Sequence, residues 1–355
     1  MKQLPTETEE YRLLNDAIDG FFEDSITRSA RIDPSYKQLW QSLHTLIRSG
    51  GKRLRPTMTI MAYKAFGGQE VDKIIPIAAA QELLHFSLLI HDDIIDRDYV
   101  RYGVPNIAGQ YKVAYSKFVT TPSDQTHYAH SAALLGGDLM LSSAYQLIAS
   151  SELSHEAKAI ALNYLGQSIF DVAGGELLDT ELSFSPYKPG DALKVAKYKT
   201  AGYSFVSPLL TGAMIAGIDE QRKATLQSYA TSLGIAFQLV DDLLGVFGDE
   251  NETGKSASSD IVEGKRTYLM EQALELLSDG DKTAFMLAFG NPLATSVEVE
   301  NVKQLLEKSG AREATVRKIR EYTVEAQHAL DNLGLDTTDH KKFASFISQV
   351  TERTS

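Results

Sequence analysis

The sequence contains no cysteine among its 355 residues. Disulfides, thiolate metal sites, iron–sulfur clusters and a cysteine nucleophile are therefore excluded. Basic residues are also in deficit, with 35 Lys and Arg against 47 Asp and Glu and a formal net charge of −12. Nucleic acid is disfavoured as a partner, because phosphate backbones are held by clustered Lys and Arg. We expect a soluble protein of a reducing, cytoplasmic setting.

A membrane span and a secretory signal are also not expected from this sequence. The mean hydropathy is −0.18, and we identify no apolar run near the roughly 18–20 residues that a membrane helix needs. The first residues, MKQLPTETEEYRLLND, are acidic and include no apolar core of a signal peptide. We therefore predict a protein with no membrane span and no leader.

Strand-like alternation is scarce, whereas apolar residues recur at helical spacing. This spacing predicts long helices over residues 77–95, 132–148, 157–178, 203–218 and 224–246, and shorter amphipathic helices in the last third. Two segments, IIPIAAAQELLHFSLLI and YSFVSPLLTGAMIAGI, are apolar on nearly every side, which is typical of the centre of a large bundle. No break in composition marks a linker. We predict one all-α domain over residues 1–355, built as a single large helical bundle.

Two acidic clusters follow apolar helices, where carboxylates are unexpected. HDDIIDRD places Asp92 and Asp96 four residues apart on one helical face, with Asp93 beside them. In FQLVDDLLGVFGDE, Asp241, Gly245 and Asp249 lie four residues apart, and Asp242 sits beside Asp241. Buried carboxylates are paired or bound to metal, so two such clusters suggest facing helices with a cation between them. Oxygen ligands without His or Cys spacing favour Mg²⁺, although a solvated helix end is the alternative for either cluster alone.

Magnesium implies an anionic substrate, and three segments supply cations for it. SGGKRLRPTM combines a Gly-Gly turn, a helix start and three basic residues, which suits an anion site. Further lysines lie near two other helices, in the segments YKTAGYSF and TGKSASSDIVEGKRT. A charge run by itself is more typical of a solvated helix face. These segments therefore indicate an anion site only when they are taken together with the aspartate clusters. The candidate cations are Lys52, Arg53, Arg55, Lys199, Lys255 and Lys265.

The ordered motifs GGKRLRP, DDIID, KT, FQLVDD and GK…DIxxGKRT resemble those of the trans-isoprenyl diphosphate synthases, the polyprenyl synthetase family, and most closely its geranylgeranyl diphosphate synthases. The resemblance covers about residues 50–267. It implies an isoprenoid synthase bundle around a deep apolar cavity, a homodimer and about three Mg²⁺ per active site. In that prenyltransferase reaction an allylic diphosphate ionises, isopentenyl diphosphate attacks the carbocation, and a proton is lost. Clustered cations and a water-poor apolar cavity suit this chemistry.

The resemblance also implies a role for each residue that matches a motif. It assigns Mg²⁺ to Asp92, Asp93, Asp96, Asp241 and Asp242. It assigns the allylic diphosphate to Arg101, Lys199, Lys255 and Lys265, with Thr200 and Gln238 near the reacting centre. It assigns isopentenyl diphosphate to Lys52, Arg55 and His85. The catalytic set is Asp92, Asp96, Lys199 and Asp241, and the departing diphosphate is the expected proton acceptor.

Three positions depart from the family pattern. Gly245 stands where many relatives have a third Asp, with Asp249 one turn further on. Tyr102 replaces the second of two arginines, which removes one charge from the isopentenyl diphosphate site; Arg53 is the candidate replacement cation. Glu176 stands where relatives commonly have Gln, and its role is open.

Product length in this family often depends on the residues four and five positions before the first Asp. Here these are Leu88 and Ser87, and neither is aromatic. A small Ser87 leaves room for more than fifteen carbons, so the expected product is geranylgeranyl diphosphate or somewhat longer. Leu84, or Ile169 and Phe170 on another helix, are alternative positions for the floor of the tunnel.

Two other functions use related chains. A class I terpene cyclase ionises the same substrates but needs no isopentenyl diphosphate site, so GGKRLRP disfavours it. A catalytically silent subunit of a heteromeric prenyl synthase typically loses its aspartates, which this chain retains. Consumption of isopentenyl diphosphate by the purified chain distinguishes the synthase from both alternatives.

Overall fold

The computed structural model describes residues 8–184, 190–248 and 259–351 of the chain. Within these ranges the protein is helical apart from one two-stranded hairpin, which confirms the predicted all-α class. Lys255 and Asp249, both singled out from the sequence, lie outside the described residues.

The helices of the first half are α1 (Glu9–Ser29), α2 (Pro34–Ser49), α3 (Leu54–Ala65), α4 (Val71–Ile95), α5 (Ile107–Ala114), α6 (Pro122–Ser150) and α7 (His155–Leu182). Strands β1 (Val100–Arg101) and β2 (Val104–Pro105) form the antiparallel hairpin between α4 and α5. A nearly continuous helical stretch follows, made of α8 (Asp191–Val195), a π-helix (Ala196–Val206) and α9 (Ser207–Ile215). The remaining helices are α10 (Glu220–Phe247), α11 (Ser259–Glu263), α12 (Tyr268–Leu276), α13 (Asp279–Phe285), α14 (Ser296–Lys308), α15 (Ala311–Asp331) and α16 (Thr337–Thr351).

The chain divides into two compact units. The first unit comprises the described residues of Met1–Leu165 with Thr211–Gly217. In it, α4 packs against α1, α3 and α6, and α5 packs against α6. The apolar residues of α4 form much of this core, in agreement with the all-round apolar pattern of its sequence. The single domain predicted over residues 1–355 stays a prediction.

The second unit comprises the described residues of Gly166–Leu210 with Ile218–Ser355. Its central element is α10, which packs against the π-helix, α15 and α16. Tyr229 of α10 is fully buried, and its hydroxyl donates to the carbonyl oxygen of Phe343 at 2.9 Å. Burial of this phenol without a charged partner raises its pKa, so it stays protonated and keeps the hydrogen bond.

Three helices are long and apolar enough to cross a membrane by length and composition: α4, α6 and α10. The expectation that no segment is long and apolar enough to span a membrane is therefore wrong, whereas the absence of a membrane span stays a prediction. The most apolar window is 72% buried inside the protein in α4, 44% buried in α6 and 61% buried in α10. Packing against neighbouring helices accounts for much of the apolar character of α4 and α10.

Candidate active site

The first aspartate cluster lies where α4 ends. Asp92 belongs to the last turn, and Asp96 is the C-cap residue, with its N–H donating to the carbonyl of Asp92 at 2.8 Å. Asp93 is buried and accepts two hydrogen bonds from Arg101, from Nε at 2.9 Å and from Nη2 at 2.5 Å. Burial raises the pKa of Asp93 to about 6, against the opposing effect of Arg101. Arg101 also lies 3.5 Å from Asp92, so the cation predicted to bind diphosphate is placed directly on the aspartate cluster.

The hairpin that positions Arg101 turns at Tyr102 and Gly103. Both residues have positive φ, 54° and 74°, which is the backbone conformation of a two-residue type I′ hairpin. This conformation is unusual for a tyrosine. The Tyr102 ring lies over Gly50, where a Cβ would be 2.5 Å from its nearest ring carbon. Gly50 is therefore required for the hairpin to approach the loop that carries Lys52.

Arg53, the candidate replacement for the charge missing at Tyr102, is engaged by other parts of the protein. Its guanidinium is buried, with Nη1 2.8 Å from Glu82 Oε1 and Nη2 donating to the carbonyl of Ile47 at 2.8 Å. The side chain therefore holds the loop before α3 against α4. Sequence reasoning missed Glu82, although a carboxylate in the otherwise apolar segment of α4 was a usable signal.

A small pocket lies between the loop before α3, α4 and the hairpin. Its lining residues are Ile47, Gly50, Arg53, Glu82, His85, Phe86, Leu89 and Tyr102. Burial lowers the pKa of His85 well below its usual value, and the positive charges of Arg55, Arg101 and Arg53 add to this effect. His85 is therefore a neutral imidazole among cations, able to donate one hydrogen bond to an anion. The charge of Arg55 thus acts on His85, whereas Lys52 is exposed.

The residues predicted to set product length lie one to two turns before Asp92. Ser87 is buried, and its hydroxyl donates to the carbonyl of Gly137 on α6 at 2.8 Å. Leu88 is half-buried. Among the alternative positions for the floor, Leu84 is fully buried whereas Phe170 is 77% exposed. Ser87 therefore lies at a contact between α4 and α6.

The second aspartate cluster lies near the end of α10, beside the π-helix. Asp241 is exposed, and Asp242 is buried. Thr200 donates to Gln238 Oε1 at 2.5 Å, and Gln238 Nε2 donates to Asp242 at 2.8 Å. Burial raises the pKa of Asp242 well above its usual value, and the negative charges of Asp260, Asp241 and Asp179 act in the same direction. The predicted residues Thr200, Gln238 and Asp242 thus form one hydrogen-bonded chain.

Close helix packing allows this chain to form. A Cβ at Gly234 of α10 would lie 2.6 Å from the Cα of Ala201, in the π-helix. The glycine lets α10 approach the π-helix at the level of Thr200. Wide helical turns of this type frequently occur at functional sites, and this one replaces the start of the α-helix predicted over 203–218.

Two of the predicted site lysines, Lys199 and Lys265, are paired with carboxylates. Lys199 Nζ lies 2.6 Å from Asp179 and 2.9 Å from Glu176. Lys265 Nζ lies 3.2 Å from Glu263. Sequence reasoning missed Asp179, although its position three residues after Glu176 puts both carboxylates on one helical face.

The space beside Gly245, which replaces the third Asp of the second motif, is filled by another side chain. A Cβ at Gly245 would lie 2.4 Å from Oδ2 of Asp260. The Asp260 side chain therefore occupies the space next to Gly245, and a third aspartate there would collide with it and repel it.

The donor chemistry of both clusters fits Mg²⁺. In the described ranges, no group of three or more His, Asp or Glu side chains is arranged to hold a metal ion by itself. Mg²⁺ typically uses one or two carboxylates and completes its shell with water and substrate phosphate oxygens. Half-buried Asp92 and Asp96 and exposed Asp241 offer such partial sites. Each cluster suits an ion that arrives with a diphosphate.

An all-α fold with carboxylates near the ends of α4 and α10, and with Arg101 beside the first cluster, suits an enzyme that acts on diphosphates. The family model described as polyprenyl synthetase matches residues 36–308. A geranylgeranyl diphosphate synthase of Sulfolobus acidocaldarius is 33% identical over 299 residues, covering 82% of this chain and 85% of that protein. A geranylfarnesyl diphosphate synthase of Aeropyrum pernix is 30% identical over 313 residues, covering 86% and 91%.

Solved structures give the same result. A geranylgeranyl pyrophosphate synthase of Corynebacterium glutamicum, crystallised with isoprenyl diphosphate and magnesium, matches with a TM-score of 0.90 and 31% identity. The match covers 96% of this chain and 98% of that one. The chain belongs to the polyprenyl synthetase family. It is a trans-prenyltransferase with the isoprenoid synthase fold, as the motifs predict.

Proposed function

We propose that this enzyme condenses isopentenyl diphosphate head-to-tail with allylic diphosphates in a Mg²⁺-dependent reaction, and that its product is geranylgeranyl diphosphate or somewhat longer. The observation that carries the proposal is the pair of carboxylate clusters near the ends of α4 and α10. Arg101 lies on the first cluster, and the hydrogen-bonded residues Thr200 and Gln238 lie at the second. The names of the similar synthases from Sulfolobus acidocaldarius and Aeropyrum pernix support the product range.

Asp92, Asp96 and Asp241 are the proposed ligands of about three Mg²⁺, with Asp93 and Asp242 assisting. The ions neutralise the charge that develops on the departing diphosphate. The burial of Asp93 and Asp242 and their hydrogen bonds to Arg101 and Gln238 support an assisting role for both. The number of ions rests on the family resemblance.

The allylic diphosphate is proposed to bind to four basic residues: Arg101, Lys199, Lys265 and Lys255. The fixed orientation of Gln238 between Thr200 and Asp242 presents its amide in one direction near the reacting centre. Preorganised dipoles of this type stabilise charge that appears during ionisation.

Isopentenyl diphosphate is proposed to bind Lys52, Arg55 and His85. A neutral His85 donates to a phosphate oxygen while the arginines around it supply positive charge. Tyr102 lines the same pocket and presents a hydroxyl in place of a guanidinium. The apolar residues of α4 and the small Ser87 are proposed to exclude water and to leave room for the growing chain.

A homodimer and a cytoplasmic location complete the proposal. Exposed Leu134 and Leu135 on α6, 53% and 57% accessible, support contact with a second copy. Sedimentation of the purified 39.0 kDa chain is expected to give twice the monomer mass. A monomer that retains full activity would contradict the dimer.

Asparagine variants of Asp92 and Asp241 test the assignment of the clusters. Each variant keeps the side-chain volume but removes a metal-binding charge, so kcat should fall about a hundredfold or more. The half-saturating Mg²⁺ concentration should rise in both. Asp72→Asn, an exposed change in the first turn of α4, is the matched control and should behave as wild type. Full activity of either cluster variant would contradict the proposal.

A further inference from the structure

The loop between α2 and α3 is tied to three helices by the side chain of Arg53. Nη2 donates to the carbonyl oxygen of Ile47 in α2 at 2.8 Å, and Nη1 lies 2.8 Å from Oε1 of Glu82 in α4. Two longer contacts join Nη1 to the carbonyl oxygen of Gly50 at 3.4 Å and Nε to Oδ1 of Asn15 in α1 at 3.5 Å. A guanidinium presents its N–H groups in fixed directions. The loop is therefore fixed relative to α1, α2 and α4 together.

Glu82 provides the charged end of this contact. Its side chain is 5% exposed, in a segment of α4 that is otherwise apolar. Its other carboxylate oxygen, Oε2, has no hydrogen-bond partner among the described residues. The loop backbone passes directly over the ion pair, because a Cβ at Gly51 would lie 3.0 Å from Nη1 of Arg53 and 3.5 Å from Oε1 of Glu82. The carboxylate of Glu82 is thus placed to hold Arg53 and the loop above it.

The backbone of the loop needs such support at Arg53. This residue has φ 52° and ψ 38°, the left-handed conformation, and it is the N-cap of α3 without a side-chain capping hydrogen bond. A non-glycine residue rarely adopts this conformation, and it persists where surrounding contacts hold it in place. Lys52 precedes Arg53, and Arg55 lies in the first turn of α3. The directions of both side chains therefore depend on the backbone that the ion pair holds.

We propose that Glu82 is a positioning residue, which holds Arg53 and so fixes the loop in the conformation that presents Lys52 and Arg55 to isopentenyl diphosphate. The inference rests on the proposed function, in which Lys52 and Arg55 bind that substrate. Glu82 and Arg53 act through the position of the loop and make no contact with the substrate. Small displacements of binding groups are costly, since a shift of about 1 Å can lower the rate by about a hundredfold.

The first test uses the double variant Arg53→Met, Glu82→Met. It removes one positive and one negative charge, so the net charge of the pocket is unchanged, and an apolar pair replaces a buried ion pair at little cost in stability. Initial rates with each substrate varied separately give the two KM values. KM for isopentenyl diphosphate should rise about tenfold, whereas KM for the allylic diphosphate should stay near the wild-type value. A smaller fraction of folded enzyme would lower the apparent kcat without raising KM for one substrate alone.

Glu82→Gln distinguishes positioning from direct binding by Arg53. The variant keeps the guanidinium but offers it a neutral acceptor, which holds it about half as strongly as a carboxylate. Positioning predicts a higher KM for isopentenyl diphosphate, because the loop is held less firmly. Direct binding by Arg53 predicts a lower KM, because the opposing negative charge is gone. Glu70→Gln, the same substitution at the 63% exposed N-cap of α4, is the matched control and should behave as wild type.

The outcomes separate this inference from the proposed function. An unchanged KM for isopentenyl diphosphate in the double variant, an equal rise in both KM values, or a lower KM in Glu82→Gln would overturn the inference. Each of these results, obtained with a wild type that elongates normally, leaves the proposed function intact. A wild type that does not consume isopentenyl diphosphate would overturn both.

Discussion

Replacement of Arg53 by alanine should destabilise the fold rather than remove a substrate contact. The guanidinium pairs with Glu82 at 2.8 Å, and the two side chains are only 7% and 5% exposed. Removing one partner of a buried ion pair leaves an uncompensated charge and costs about 3–5 kcal/mol. The hydrogen bond to the carbonyl of Ile47 is lost as well, but it belongs to the same network and does not add in full. We therefore expect a decrease of about 3–5 kcal/mol in the free energy of unfolding.

Urea denaturation followed by far-ultraviolet circular dichroism measures this change, because helix content reports on the whole fold. Arg12→Ala removes an exposed pair with Asp16, about two-thirds accessible on each side, and should cost less than about 1 kcal/mol. The double variant Arg53→Met, Glu82→Met should recover much of the loss, since an apolar pair replaces a buried ion pair at little cost. An Arg53→Ala protein of wild-type stability with a raised KM for isopentenyl diphosphate would show that Arg53 is a substrate cation and refute this reasoning.

Three further predictions follow from particular side chains. Tyr102→Arg should lower KM for isopentenyl diphosphate by up to about tenfold, because it adds a charge-assisted hydrogen bond to the pocket; an unchanged or higher KM in initial-rate assays would show that the site is complete without it. Ser87→Phe should shorten the product chains seen by mass spectrometry and cost about 1–3 kcal/mol of stability, because it overpacks the contact with α6; products of unchanged length would place the floor elsewhere. Glu271→Gln should remove part of the pH dependence of stability. Burial raises the pKa of Glu271 in the fold, despite backbone hydrogen bonds from Ala192 and Gly190, so its contribution to stability is full below the unfolded value of about 4.5 and declines as pH rises through the folded value. Urea midpoints measured from pH 4 to 8 should therefore fall more with rising pH for wild type than for this variant, and parallel curves would contradict the prediction.

Much of the fold follows from apolar periodicity. The spacing of apolar residues predicts the long helices. The structure extends most of them, as α4 shows by starting at Val71 rather than near residue 77, whereas the helix predicted over 203–218 ends at Ile215. The hairpin between α4 and α5 was not predicted, because Tyr102 is an unusual residue for a turn position with positive φ. The π-helix was not predicted either. It accompanies close approaches at Gly175 and Gly234, which are tertiary contacts that no local pattern encodes.

The parts of the candidate site that could be predicted are those where a charged residue follows an apolar segment of the sequence. Aspartates that end apolar helices stand out in a sequence, and both clusters were found in this way. The partners of charged side chains were harder to predict. Arg53 was predicted only as a candidate cation for the substrate site, because its partner Glu82 lies 29 residues further along the chain. The same limit applies to Lys199, whose two carboxylates are about twenty residues away in the chain.

A product assay tests the central claim most directly. Purified protein, Mg²⁺ and labelled isopentenyl diphosphate are combined with dimethylallyl, geranyl or farnesyl diphosphate, with EDTA as the control. We predict EDTA-sensitive formation of allylic diphosphates of twenty carbons or somewhat more. Release of hydrocarbon or alcohol without consumption of isopentenyl diphosphate would indicate a cyclase, and no turnover at all would indicate a silent subunit. Either of those results would contradict the proposed chain elongation.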